Sequence, residues 1–239
     1  MTPTDIAPPG GMFARLRKAA SRDWESYVSH PFVAGMTNGS LPEPAFRRYL
    51  VQDYLFLIHF SRAYALAVLK SETVAEMREK AAGLDALLNH EMKLHVAYCA
   101  DWGIPEAEIE AEPEAPETMA YTRYVIDRGV AGDMLDLEVA LAPCVIGYAE
   151  IANRMSADPG FVTQGNRYVS WHAMYAGSEY QDMARAAVAR LDTLSAKRGG
   201  EARFDSLART FAEASRLEAR FWQMGWNEAA PAPPGAGAI

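Results

Sequence analysis

The side chains best suited to chemistry in this chain fall where a folded protein would rather place hydrocarbon. Cys144 follows Pro143 in the apolar run Leu141-Ala142-Pro143-Cys144-Val145-Ile146-Gly147-Tyr148. Cys99 is the only other cysteine, so the thiol is not explained by a disulfide framework. Asp53 interrupts a helical stripe formed by Phe46, Tyr49, Leu50, Phe56 and Phe60. Glu218 interrupts another, formed by Leu207, Phe211, Ser215 and Trp222. Glu91 and His95 share a third with Leu84, Leu87 and Leu88. A carboxylate on a buried face is costly unless it is paired or neutralised. A thiol, an acid of raised pKa and a second carboxylate together suit nucleophilic catalysis with proton transfer.

Each residue also has a plain structural reading. Cys144 alone fits a small buried hydrophobe. Asp53 could pair with Arg47, Arg48 or Arg62, and a small helix rotation would expose Glu218. Glu91 and His95 could form an ordinary i,i+4 pair. Four helices carrying such groups inward point instead to one shared cavity, holding Asp53, Glu91, His95, Cys144, Tyr148 and Glu218. Its aromatic walls would be Phe56, Tyr121, Tyr175, Phe221 and Trp222. Pro143 cannot donate to the carbonyl of Val139, so it should break or kink the helix just before the thiol.

Metal chemistry fits less well. His90-Glu91-Met92-Lys93-Leu94-His95 lacks a second histidine four residues after the first. His90 and His95 stand roughly 140° apart around a helix and cannot share an ion. A di-metal carboxylate bundle could draw on Glu91, His95, Glu150, His172 and Glu179, with few histidines to complete it. The residues call for neither a metal nor an organic cofactor.

The elements that must position these groups are helices. Apolar periodicity predicts helices over 12–29, 44–70, 72–102, 116–128, 132–156, 159–176, 178–197 and 201–228, with almost no strand-like alternation. The acidic segment 106–117 reads as a surface connection. No linker divides the chain, so one all-α bundle of about eight helices is expected over 12–228. Pro- and Gly-rich composition predicts flexible tails at 1–11 and 229–239. The 239 residues are 50% hydrophobic and 23% charged, with net charge -8. That balance offers no basic stripe for nucleic acid. No apolar stretch is long enough for a membrane span, and no secretory leader is evident, so a cytoplasmic location is expected.

Several segments together carry a family resemblance: Tyr49-Leu-Val-Gln-Asp53-Tyr, Asn89-His-Glu-Met-Lys-Leu-His95, Tyr121-Thr-Arg-Tyr124, Pro143-Cys144 with Tyr148-Ala-Glu150-Ile, Tyr175-Ala-Gly-Ser-Glu179-Tyr with Trp171, and Glu218-Ala-Arg-Phe221-Trp222. From about Phe13 to Trp226 the chain resembles the TenA family of thiaminase II, or aminopyrimidine aminohydrolase, proteins, in its cysteine-bearing branch. The resemblance implies a haem-oxygenase-like helical bundle, a homotetramer and a role in thiamine salvage. The implied reaction hydrolyses 4-amino-5-aminomethyl-2-methylpyrimidine to the 5-hydroxymethyl compound, with thiamine a poorer substrate. By the same resemblance Cys144 is the nucleophile and Glu218 the acid/base. Asp53 binds the aminopyrimidine edge, Tyr121, Tyr148 and Tyr175 bind the ring or position the thiol, and His95 lies near the substrate. Phe56 stands where the family pattern leads one to expect a tyrosine; it can stack on a ring but cannot hydrogen-bond. The competing expectations are a di-metal or cofactor-maturation oxidase on the same fold, and a pyrimidine-binding regulator without turnover.

Overall fold

The computed structural model describes residues 6–228. Among them every regular element is helical. In chain order they are α1 (Met12–Ala19), α2 (Ser21–Val28), α3 (Pro31–Asn38), α4 (Glu43–Lys70), α5 (Val74–Ala86), α6 (Met92–Asp101), α7 (Glu106–Ala111), α8 (Pro116–Ala131), α9 (Met134–Ala157), α10 (Val169–Ala176), α11 (Ser178–Lys197) and α12 (Phe204–Glu228). A π turn, Leu87–Glu91, joins α5 to α6 without a break.

The all-α class is as expected; the boundaries differ in instructive places. The segment 12–29 is two helices, because Ala20 leaves helical geometry at φ -102°, ψ 24°. Helix α3 was not anticipated. Pro31 opens it, the His30 imidazole accepts from the Phe32 amide, and Gly39 closes it at φ 76°. A short helix, α7, lies inside the expected surface connection. The segment 159–176 is helical only from Val169. Pro143 does not end its helix; α9 runs through it. Ile6 and Ala7 fall in the expected N-terminal tail yet are buried against the core. The rest of that tail before Ile6, and the expected tail at 229–239, lie outside the described residues.

Helix α12 is the axle. It packs against α2, α3, α4, α8 and α9, and α9 in turn packs on α8, α10 and α11. The contact stripe is dense with rings: Trp222 stacks on Phe32 at 4.8 Å and lies 5.0 Å from Tyr49. Two capping boxes fix the starts of the long helices that flank the site. Thr73 and Glu76 close the start of α5, and Asp133 and Asp136 that of α9. Gly147, in mid-helix, is required by packing: a Cβ there would stand 2.7 Å from the Tyr27 hydroxyl. Among the described residues no helix is long and apolar enough to cross a membrane.

Candidate active site

Four helices deliver the site. Helix α9 presents Cys144 and Tyr148, α12 presents Glu218, α8 presents Tyr121, and α4 presents Asp53 and Phe56. The key contact is between α8 and α12: the Tyr121 hydroxyl donates to Glu218 Oε1 at 2.9 Å. Burial holds the Tyr121 phenol well above its ordinary range, and the neighbouring Glu218 and Cys144 push it the same way. Tyr121 therefore stays a hydroxyl donor beside both the acid and the thiol.

Glu218 is 2% exposed. Burial raises its carboxyl to about 8, the Tyr121 hydrogen bond opposes that rise, and the negative charge of Asp53 adds to it. At neutral pH it is mostly a carboxylic acid. Tyr121 occupies Oε1 and leaves the other oxygen for proton exchange. Rotation to solvent, the plain alternative, is excluded by this burial. Cys144 sits deep in the bundle but retains accessible surface, as do Tyr64, Tyr175 and Tyr180. Side chains so deep that still touch solvent space line a cleft. Burial pushes the thiol well above its ordinary range, and Glu218, Asp53 and Glu91 push it the same way. At rest the Cys144 side chain is a neutral thiol.

Asp53 stands across the cleft. None of the three nearby arginines takes it: Arg47 binds the Trp102 and Gly103 carbonyls, Arg48 binds Glu112, and Arg62 lies against His59. Its Oδ2 instead faces His95 Nδ1 at 3.6 Å and the Tyr49 hydroxyl at 3.5 Å. His95 Nε2 donates to the Leu50 carbonyl at 2.8 Å, which fixes the proton on that nitrogen. A neutral ring then offers Asp53 an acceptor at Nδ1, so any bond between them needs a further proton. Burial raises the Asp53 carboxyl, while His95 and Tyr49 hold it down. The pairing of His95 with Glu91 does not form. The π turn ends at Glu91, whose side chain is exposed. Even so, its surroundings raise its carboxyl, through desolvation first and then the charges of Asp53 and Glu179.

The aromatic expectations divide. Phe56 packs 5.2 Å from Tyr121 and 5.9 Å from Phe221, both rings tilted against it, and it brings no hydroxyl of its own. Tyr148 and Tyr175 meet at 4.9 Å. Trp222 is fully buried and backs Tyr148 at 5.5 Å rather than lining the cleft. Two groups that the sequence did not single out join the site. Tyr49 is a hub: the Trp171 indole N–H donates to its hydroxyl at 3.2 Å, and that hydroxyl donates in turn to Asp53 Oδ2 at 3.5 Å. Its position one turn before Asp53 on the same helical face was the available signal. Tyr180 donates to the Val145 carbonyl at 3.2 Å, one residue past the thiol. It closes the Tyr175-Ala-Gly-Ser-Glu179-Tyr segment quoted above, but nothing there set it apart as a site residue. Among the described residues no three His, Cys, Asp or Glu side chains are grouped so as to hold a metal ion.

This arrangement has close relatives. Residues 17–228 match the TENA/THI-4/PQQC family. The chain is 37% identical over 215 residues to an aminopyrimidine aminohydrolase of Halalkalibacterium halodurans, covering 90% of this chain and 95% of that one. Among solved structures it is similar to a protein of Silicibacter sp. TM1040 described as a TenA family transcription regulator. That similarity has a TM-score of 0.84 and 44% identity, and covers 92% of this chain and 98% of that one. A domain with a heme oxygenase-like fold from Shewanella denitrificans matches at TM-score 0.70 and 14% identity, covering 90% of this chain and 92% of that one. The last likeness concerns the fold alone. The match over most of its length makes the chain a member of the TENA/THI-4/PQQC family.

Proposed function

We propose that the protein is an aminopyrimidine aminohydrolase of thiamine salvage. It hydrolyses 4-amino-5-aminomethyl-2-methylpyrimidine to the 5-hydroxymethyl compound and ammonia, and thiamine more weakly. The observation that carries this reading is the buried acid Glu218, held by Tyr121 beside the Cys144 thiol, with Asp53 across the same cleft.

Asp53 and the Tyr49 hub bind the aminopyrimidine edge, where a carboxylate suits amidine-like N–H donors. Phe56, Tyr148 and Tyr175 sandwich the flat ring, and His95 holds Asp53 in place. As substrate arrives the Cys144 proton passes to a ring nitrogen, and Sγ adds to a ring carbon. The bond from the exocyclic methylene to the amino nitrogen then breaks, and Glu218 protonates the departing ammonia. Water adds to the methylene and returns a proton to Glu218. Finally the Sγ–carbon bond breaks, the ring nitrogen returns its proton to the Cys144 thiol, and the ring regains its aromaticity. One water is consumed and one ammonia released, with the enzyme unchanged. A protonated Glu218 near neutrality suits the acid step. The steps use no metal or organic cofactor.

The reading extends to a homotetramer in the cytoplasm, for which light scattering should give four times the 26.3 kDa chain mass. A second reading is favoured by the Silicibacter relative's description as a transcription regulator: a pyrimidine-binding protein without turnover. Product analysis with thiamine and a panel of aminopyrimidines decides between them. Ammonia and the hydroxymethyl product from wild type are expected; tight binding with no product would replace the enzyme reading with the regulator.

A further inference from the structure

The proposed reaction gives the Cys144 thiol a task but leaves the aim of that thiol to the backbone of α9. That backbone is weakened where it matters, because Pro143 has no N–H to give to the carbonyl one turn earlier. The carbonyls that bracket Cys144 are each held by a phenol from another helix. Tyr27 of α2 donates to the Pro143 carbonyl at 3.3 Å, and Tyr180 of α11 donates to the Val145 carbonyl at 3.2 Å. The two phenols are not equivalent. Tyr27 is fully buried and wedged against Gly147, so its hydroxyl and its ring both serve packing. Tyr180 keeps accessible surface, as do Cys144 and Val145, and its ring meets Tyr175 edge-on at 4.8 Å. It stands in the cleft wall between the nucleophile and a ring-binding tyrosine.

We infer that Tyr180 is a positioning residue: through the Val145 carbonyl its hydroxyl fixes the turn of α9 that aims Cys144 Sγ into the cleft. The hydroxyl does not touch the reacting atoms. It restores on the C-terminal side of the thiol part of the restraint that Pro143 removes on the N-terminal side. The mechanical logic is that of a helix held at the two peptide groups flanking one side chain. Loss of either hold widens the range of thiol orientations without altering the side chains that bind substrate. The inference rests on Cys144 being the nucleophile of the proposed reaction.

Tyr180→Phe isolates the hydroxyl, since the ring and its packing on Tyr175 persist. Two measurements are made on the full-length protein: steady-state turnover of the aminomethylpyrimidine, and the pH-dependent rate of Cys144 alkylation by iodoacetamide, followed by mass spectrometry. Cys99 is fully buried with its thiol pushed up to about 12, so it does not compete for the reagent. Thermal melting checks that the variant is folded. The loss of one neutral hydrogen bond should lower kcat about 3- to 10-fold, with KM unchanged within about twofold. The alkylation rate should fall as well, with its midpoint pH unmoved, because aim has changed and ionisation has not. Wild-type kcat and alkylation in a folded variant would overturn the inference. So would a loss confined to KM, which would make Tyr180 a substrate contact, or a shifted alkylation midpoint, which would make it act on thiol ionisation. If wild type hydrolyses no aminopyrimidine while Tyr180→Phe still slows alkylation, the functional reading fails and the placement of the thiol by Tyr180 stands.

Discussion

The two flanks of the cleft are built on opposite terms. Helices α9 and α12 form a wall in which most turns are buried: 16 residues of α9 and 11 of α12 are buried. The stretch from α5 through the π turn to α6 buries only Lys80, Leu87 and Cys99. It leaves Val74, Leu88 and Leu94 exposed at 59%, 45% and 65%. The wall carries Cys144 and Glu218, the reacting groups of the proposed hydrolysis, and the thin flank carries His95 and Glu91 at the edge. Dense burial fixes side chains to a single rotamer and makes local opening as costly as unfolding, while a sparsely buried helix opens at lower cost. Groups that must meet within bonding distance belong on the first kind of surface, and groups that border a path for substrate belong on the second.

The sharpest way to break this comparison is at the thiol. Cys144→Ser should lower kcat by at least about 1,000-fold with the melting temperature nearly unchanged, because a hydroxyl replaces a thiol of similar size. Retained turnover would show that the wall is scaffold only. Glu218→Gln should lower kcat by about 100-fold with a smaller effect on KM.

The same variant tests the buried acid by stability. Glu218 rises from 4.5 when unfolded to about 8 when folded, so its contribution is full below 4.5 and is lost as pH rises through about 8. Denaturant titrations should show wild-type stability falling across that window and a flatter profile in Glu218→Gln; equal slopes would mean that the carboxyl is solvated. The smallest effect sharpens the contrast itself. Ile151→Ala, in the wall at 0% exposure, should cost about 2–5 kcal/mol. Leu88→Ala, on the thin flank at 45%, should stay within about 0.5 kcal/mol. Comparable losses would mean that both flanks are core.

The three groups of the proposed reaction were legible in sequence because a carboxylate on an apolar stripe needs a reason. Asp53 and Glu218 could be found by that test alone, and Cys144 gained its meaning from them. Tyr49 and Tyr180 were harder. A tyrosine on an inward stripe looks the same whether its hydroxyl binds a carbonyl, a carboxylate or nothing, because its ring alone justifies the position. Glu91 is a mixed case. Regular helical periodicity places it inward; the π turn Leu87–Glu91 adds a residue to the turn, and Glu91 keeps an exposed surface while its carboxyl is still desolvated and faces the charges of Asp53 and Glu179. Helix α3 was missed because Gly35, Thr37 and Asn38 lower its propensity, and Pro31 reads as a stop unless it is recognised as an opening residue. The fold class needed only the 3.6-residue period; boundaries needed cap geometry, which depends on atoms that a period does not encode.

The hub at Tyr49 has an arithmetic of its own. A phenol has one hydrogen to give and room to accept two. The Trp171 N–H takes one of the accepting places. Its one hydrogen points to Asp53 Oδ2 at 3.5 Å, the long end of the hydrogen-bond range. Accepting from the indole and donating to the carboxylate, the phenol couples the ring of α10 to the acid of α4. A sideways step of either helix is therefore transmitted to the position of Asp53.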